Sequence, residues 1–252
     1  MPQTFYLSDH HWSKLLGFFS AQSNIYIGDP IDFRNFIEAV FWILRSGSQW
    51  RLLPDYYGNW NSIYCRFNDW SKKGIWEAMF NHFCNEPDLE HILIDSTVVR
   101  AHACSAGYRA GDQSVEGLGR SCGGFSSKIH VAVDGLGNPL KLIISEGNAA
   151  DISYANELID GYTNTTILGD KGYDSNELII EGTMNGNTMV IPPKKNRNYQ
   201  RDYDKHIYKE RHLVECFFGK IKHFRRVFSR FEKTMRNFLS FLYFASAHVW
   251  LR

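Results

Sequence analysis

The stretch HILIDSTVVRAHA, residues 91–103, decides the fold: Ile92, Leu93 and Ile94 run into a single carboxylate at Asp95, and β-branched residues continue through Val99. Such a run reads as a buried strand, and an acid closing its apolar part is offered to a site. The same texture recurs in TTILGD, residues 165–170, where Asp170 follows Ile167 and Leu168, and Gly172 just beyond allows close approach of backbone or ligand. Either aspartate alone is explained as a turn or capping residue. Two acids, each closing an apolar strand, suit a hard divalent cation with oxygen ligands, Mg²⁺ or Mn²⁺.

Outward from these two strands, SSKIHVAVD (126–134) and NPLKLIISEG (138–147) are β-branched and alternating, and the GLGN between them reads as a hairpin turn. A helix is expected around residues 153–160, another at 175–184, and a last strand in NTMVIPP (187–193), halted by two prolines. The Gly/Ser-rich segment Cys104 to Gly124 reads as a mobile loop. Three strands, helix, strand, helix, strand and then helices make a mixed α/β domain over residues 86–252.

Residues 1–85 read as a separate helical domain. Ser8 can cap a helix through Trp12, Leu15, Leu16 and Phe19; Pro30 starts a second helix that Gly47 can stop. Around Gly58 two short helical patterns resemble a helix-turn-helix, the second carrying Asn61, Tyr64, Arg66, Asn68 and Asp69; three packed helices with no DNA role explain the pattern equally well.

The chain from Ile207 reads as a long helix, with another beginning near Met235. On a helical wheel Tyr208, Arg211, Glu215 and Lys222 fall in a stripe roughly 60° wide, beside an apolar face of Leu213, Val214, Phe217, Phe218, Ile221, Phe224 and Phe228. A solvated charged stripe accounts for this; a phosphate-handling site accounts for it better, because Arg clamps phosphate bidentately, Lys adds a point charge and Tyr donates a hydrogen bond.

Charge is unevenly spread. Residues 194–236 hold 14 Lys and Arg against 5 Asp and Glu, a local +9 within a chain of net +1, which leaves −8 on the rest. A basic segment set against an acidic body marks a nucleic-acid face. The five cysteines are scattered and never spaced CxxC, which excludes a disulfide framework and a zinc ribbon; His102, Cys104, Cys122 and His130 fit no zinc module. No GxSxG or nucleotide loop points to a hydrolase or nucleotide enzyme. The apolar stretch 238–251 is interrupted by Ser240, Ser246 and His248, too polar to span a bilayer, and the N-terminus has no secretion pattern, so a cytoplasmic, nucleoid-associated protein is expected.

In these residues the chain resembles bacterial insertion-sequence transposases of the DDE type, in the group called insertion sequence family five. The resemblance is carried by WILRSGSQWRLLP with YGNWNSIYCRF, by LIDSTVVRAHA, GGFSSKIHVAVDGLGNPL, LGDKGYDS and VIPPKKNR, and by the 208–241 segment. The spacing Tyr208-x2-Arg211-x3-Glu215-x6-Lys222 matches the Y-R-E-K signature shared with family four. The resemblance implies an RNase H-like fold, a catalytic and metal-binding triad of Asp95, Asp170 and Glu215, and two Mg²⁺ or Mn²⁺ ions. It also implies that Tyr208, Arg211 and Lys222 hold DNA phosphates near the element's end. Further DNA contacts are expected from the basic Lys194, Lys195, Arg197, Arg225 and Arg226. The expected partner is double-stranded DNA, as terminal inverted repeats and target, with a homodimer in the DNA complex and no membrane. The competing readings are a structure-specific nuclease or domesticated copy of the same fold, and a non-enzymatic DNA-binding regulator.

Overall fold

The computed structural model describes residues 6–106, 116–121 and 123–252. In chain order the elements are α1 (Asp9–Ser20), α2 (Pro30–Ser46), α3 (Trp60–Lys72), α4 (Ile75–Phe83), β1 (His91–Ala101), α5 (Ala103–Ala106), β2 (Gly119–Ser121), β3 (Gly124–Val133) and β4 (Pro139–Glu146). They continue with α6 (Ala155–Ile159), β5 (Thr166–Leu168), α7 (Asn176–Met184), β6 (Thr188–Val190), α8 (His212–Lys222), α9 (Arg225–Phe228) and α10 (Met235–Trp250). Two compact units result: residues 1–85 with 221–252, and residues 86–220. The C-terminal helices therefore group with the helical unit, whereas the sequence assigns everything after residue 85 to the sheet domain.

In the helical unit the caps fall where the sequence places them. Ser8 accepts from the His11 N–H at the head of α1; Asp29 caps α2, whose first residue is Pro30. Gly47 ends α2 at φ +71, and a Cβ there would stand 2.7 Å from the Arg225 Cβ, so both conformation and space require glycine. The core is aromatic: Phe67 stacks on Phe241 at 4.5 Å between ring centres, Trp76 on Phe244 at 5.4 Å, and Phe41 meets Phe224 edge-on at 5.7 Å.

The long helix expected from Ile207 is broken. Residues 207–211 form a tight 3-10 turn, α8 stops at Lys222, and Phe224 is extended before α9. The break lets Phe224 bury its ring against Phe41 and His248.

His248 is buried in α10, with Nδ1 lacking a hydrogen-bond partner, and burial, reinforced by the charges of His11, Arg252 and Arg45, holds its pKa down to about 4. The unfolded imidazole binds its proton near 6.5, so stability is complete above that value and falls as pH drops toward 4. By pH 5 the loss attributable to His248 should be about 2 kcal/mol. Urea unfolding at pH 7 and pH 5 measures it, and His248→Leu should flatten the pH dependence by that amount. An unchanged slope would remove His248 as the cause.

The second unit is built on one mixed sheet. β1 runs antiparallel to β3, β3 antiparallel to β4, and β1 parallel to β5, which is parallel to β6; β2 pairs with the start of β3. The order β4-β3-β1-β5-β6, with helices flanking it, is that of an RNase H-like fold. Asp134 organises the β3–β4 hairpin, accepting from the Leu136 and Asn138 N–H groups. At Gly137, φ +78, a Cβ would lie 3.1 Å from the Leu213 carbonyl oxygen, so the turn can touch the head of α8 only as glycine.

The segment read as a loop from Cys104 to Gly124 includes α5 and β2; residues 107–115 and 122 lie outside the described residues. Among the described residues Cys65, Cys84, Cys104 and Cys216 form no disulfide, and no helix is long and apolar enough to cross a membrane.

Candidate active site

Asp95 lies within β1 and not at its tip: the strand continues to Ala101. What ends near Asp95 is its neighbour. β5 pairs in parallel with β1 as far as Leu93 opposite Leu168, then stops. Asp95 and Asp170 each stand two residues beyond that last pair, so the register brings them to one level, where the sheet opens between β1 and β5.

Asp170 accepts from the Gly172 N–H through Oδ1 at 2.7 Å, and so caps the short 3-10 turn Lys171–Tyr173 while bordering the opening.

Asp95 is mostly buried. Its Oδ1 accepts from the Ser96 N–H at 2.7 Å, and its Oδ2 from Arg211 Nη1 at 3.0 Å. Burial pushes its pKa up to about 6; the neighbouring Asp170 and Asp151 add to the rise, while Ser96 N–H and Arg211 oppose it. The other hand of Arg211 grips Glu215, four residues on, in a short ion pair. Arg211 therefore ties Glu215 on α8 to Asp95 on β1. Tyr208 is half-buried near the same groups; burial and the charge of Asp170 raise its hydroxyl, and Arg211 pulls it down.

Among the described residues no three carboxylate, imidazole or thiol groups stand within one cation's reach, and the Arg211 guanidinium bridges Asp95 and Glu215. The donor chemistry nonetheless fits a hard divalent cation. The set is all oxygen, and Asp95 is lifted by burial and like charge, the electrostatic state that a cation relieves.

Behind Asp95 lies a polar network that sequence reading missed. Ser96 Oγ donates to Asp151 Oδ1 at 2.6 Å, and Lys128 Nζ donates to the same oxygen at 2.9 Å and to the Ala149 carbonyl at 2.6 Å. His130, fully buried, shares a hydrogen bond with Ser145 Oγ at 2.7 Å and stacks on Tyr154. Desolvation, helped by Lys128 and opposed by Asp151, lowers His130 to about 4, so the buried ring is neutral near pH 7. The signal available in the sequence was the pair Lys128 and His130, two residues apart on one face of an otherwise apolar strand.

The basic residues divide. Lys194, Lys195 and Arg225 are exposed. Arg226, expected on DNA, is buried: Nη1 donates to Glu232 at 2.8 Å and Nη2 to the Ser48 carbonyl at 2.5 Å, and the guanidinium lies over Phe231 and Phe241. A guanidinium so enclosed has no face for a phosphate. Arg197 is held by Asp174. Lys222 closes α8, two turns beyond Glu215. In the helix-turn-helix-like segment, Arg66 donates to the Tyr26 carbonyl and packs on Phe36, and Asn68 accepts from Arg236 and Asn237, so these two polar residues of α3 are spent inside the helical unit.

Comparison with known proteins gives the family. Residues 86–250 match the family described as "Transposase DDE domain", and residues 7–80 match "Putative transposase of IS4/5 family". The chain belongs to the IS4/5 family of DDE transposases. The transposase is 35% identical over 131 residues to a protein of Brucella ovis titled "Putative transposase for insertion sequence element IS6501", an alignment covering 51% of this chain and all of that protein. It is 36% identical over 103 residues to the uncharacterized protein y4sN of Sinorhizobium fredii, covering 41% of this chain and 82% of the other. Among solved structures, the piggyBac transposase synaptic complex with hairpin DNA aligns with 77% of the transposase and 50% of its own chain, at TM-score 0.42 and 14% identity. The family assignment stands on the sequence matches alone. Enzymes of this class cleave and transfer DNA strands, and DDE domains work with divalent metal ions.

Proposed function

We propose that Asp95, Asp170 and Glu215 form the catalytic centre of this transposase, cutting DNA at the element's inverted ends and joining those ends to target DNA. The observation that carries the reading is the common level of Asp95 and Asp170 beside the open sheet edge, with Glu215 linked to Asp95 through Arg211. The three carboxylates are the residues that would hold two Mg²⁺ or Mn²⁺ ions. Bound there, the cations supply activation of a water or a 3′-hydroxyl and charge stabilisation at the leaving oxygen.

The protein's own groups do the rest. Arg211 pairs with both Asp95 and Glu215; were those carboxylates to turn to a cation, its guanidinium would be released and could clamp phosphate oxygens bidentately. Tyr208 donates a hydrogen bond, and Lys222 adds a point charge further along α8. Lys194, Lys195 and Arg225 contact the DNA backbone from the exposed surface. The carboxylates act as ligands and not as nucleophiles, so no covalent bond to protein forms. Two ends must be cut together, so the working unit on DNA is a homodimer.

The test is a plasmid assay with the DNA flanking both ends of the gene, searched for inverted repeats: cleavage there with joined products supports transposition, and cleavage without joining makes the enzyme a nuclease. Lys222→Ala and Arg211→Ala should each flatten the salt dependence of end binding by a slope of about one. A slope equal to wild type would remove that residue from the phosphate contacts.

A further inference from the structure

The second aspartate of the DKGYD sequence, Asp174, does no work in the centre described above, yet its carboxylate is gripped by two arginines. Its side chain is fully buried. One oxygen accepts from the Lys194 N–H and Arg197 Nε, both at 2.8 Å; the other accepts from Arg197 Nη2 at 3.0 Å and from Arg201 in a short ion pair. Arg197 also reaches the Asp174 carbonyl at 3.2 Å and the Asn176 side chain. Burial raises the carboxyl, but the Arg197, Lys194 and Arg201 contacts outweigh it and hold the group below the ordinary aspartate range.

All these donors come from one loop, residues 194–201. The loop is tightened further by Arg197 N–H on the Lys194 carbonyl at 3.0 Å, and by Gln200 Nε2 on the Lys194 and Arg197 carbonyls at 3.1 and 3.0 Å. Its two arginines are turned inward, whereas Lys194, Lys195 and Asn196 are exposed, and Tyr199 is 77% exposed. Two guanidiniums on one buried carboxylate hold a short loop with strong, directional bonds.

We propose that Asp174 is a positioning residue for DNA binding: through Arg197 and Arg201 it clips the 194–201 loop so that Lys194 and Lys195 meet the DNA backbone as a fixed pair. The proposal rests on the phosphate role given above to those lysines. A loose loop would lose its conformational freedom on every binding event; a clipped loop has lost it already, and the two ammonium groups arrive together. Asp174 and the arginines act on DNA only through the lysines.

The experiment combines limited trypsin digestion with a binding cycle on a random-sequence duplex of about 30 base pairs, in EDTA, because phosphate contacts do not depend on sequence. Arg197→Ala and Asp174→Asn should speed cleavage after Lys194 and Lys195 several-fold; Arg197→Ala leaves Asp174 paired with Arg201, so it tests the clip even where Asp174→Asn misfolds. Lys194→Ala/Lys195→Ala should weaken binding roughly tenfold and flatten the salt slope by about two. Arg197→Ala should weaken binding in the wild-type background and have less than about a twofold effect once the lysines are gone, the signature of residues acting as one unit. Equal losses in both backgrounds would make Arg197 a direct DNA contact and overturn the clip, as would unchanged trypsin sensitivity. A loop that loosens while the double lysine variant binds DNA normally would overturn the DNA role itself, and would leave Asp174 a structural staple.

Discussion

Replacing Asp95, Asp170 or Glu215 by alanine is expected to reduce cleavage by about a thousandfold or more, equivalent to roughly 4 kcal/mol of transition-state stabilisation, while DNA binding persists. Each change removes one oxygen donor from a set in which no neighbour can substitute. Asp151, whose charge also bears on Asp95, has its Oδ1 held by Ser96 and Lys128. The three variants also differ in what they release. Asp95→Ala and Glu215→Ala each free one hand of Arg211, whereas Asp170→Ala unpins the Gly172 N–H and the turn beyond it. End-labelled DNA with Mg²⁺ or Mn²⁺ reads the cleavage, and gel shift in EDTA reads the binding. Nicking retained with Mn²⁺ in any variant would take that residue out of the catalytic set.

The largest expected effect on stability lies at Arg226. Arg226→Ala leaves Glu232 buried without its partner, at a cost of about 3–5 kcal/mol. For a chain of this size that is a drop of roughly 10 °C in melting temperature. A surface arginine that touched only DNA would change stability by less than about 0.5 kcal/mol. The double replacement Arg226→Met with Glu232→Leu should restore most of the loss, because it removes the unpaired charge as well as the pair. A melting temperature unmoved by Arg226→Ala would return the residue to the list of DNA contacts.

The strands were legible because β-branched runs bounded by turn residues have few other uses, and the pairing of Arg211 with Glu215 was legible because residues four apart share a helical face. What failed were inferences from residue type to exposure. An arginine reads as solvent-facing until a partner distant in the fold claims it, and Arg226, Arg197 and Arg66 are claimed by Ser48 and Glu232, by Asp174, and by the Tyr26 carbonyl. The break at Phe224 was hidden for a similar reason. Local propensity allows the helix to continue, and only packing on Phe41 and His248, contributed by α2 and α10, favours stopping it. Asp151 gave no signal, since its meeting with Ser96 depends on how the chain returns after β4.

The brevity of β5 has a consequence for how such a sequence can drift. Three residues, Thr166–Leu168, set the height and the facing of Asp170 relative to Asp95. Because side chains alternate sides with every step, gaining or losing a single residue between Leu168 and Asp170 would send that acid to the opposite surface of the sheet. Lengthening elsewhere, as in the connection before β2, leaves this alignment untouched. In descendants of this chain the dipeptide step from Leu168 to Asp170 therefore admits no change of count.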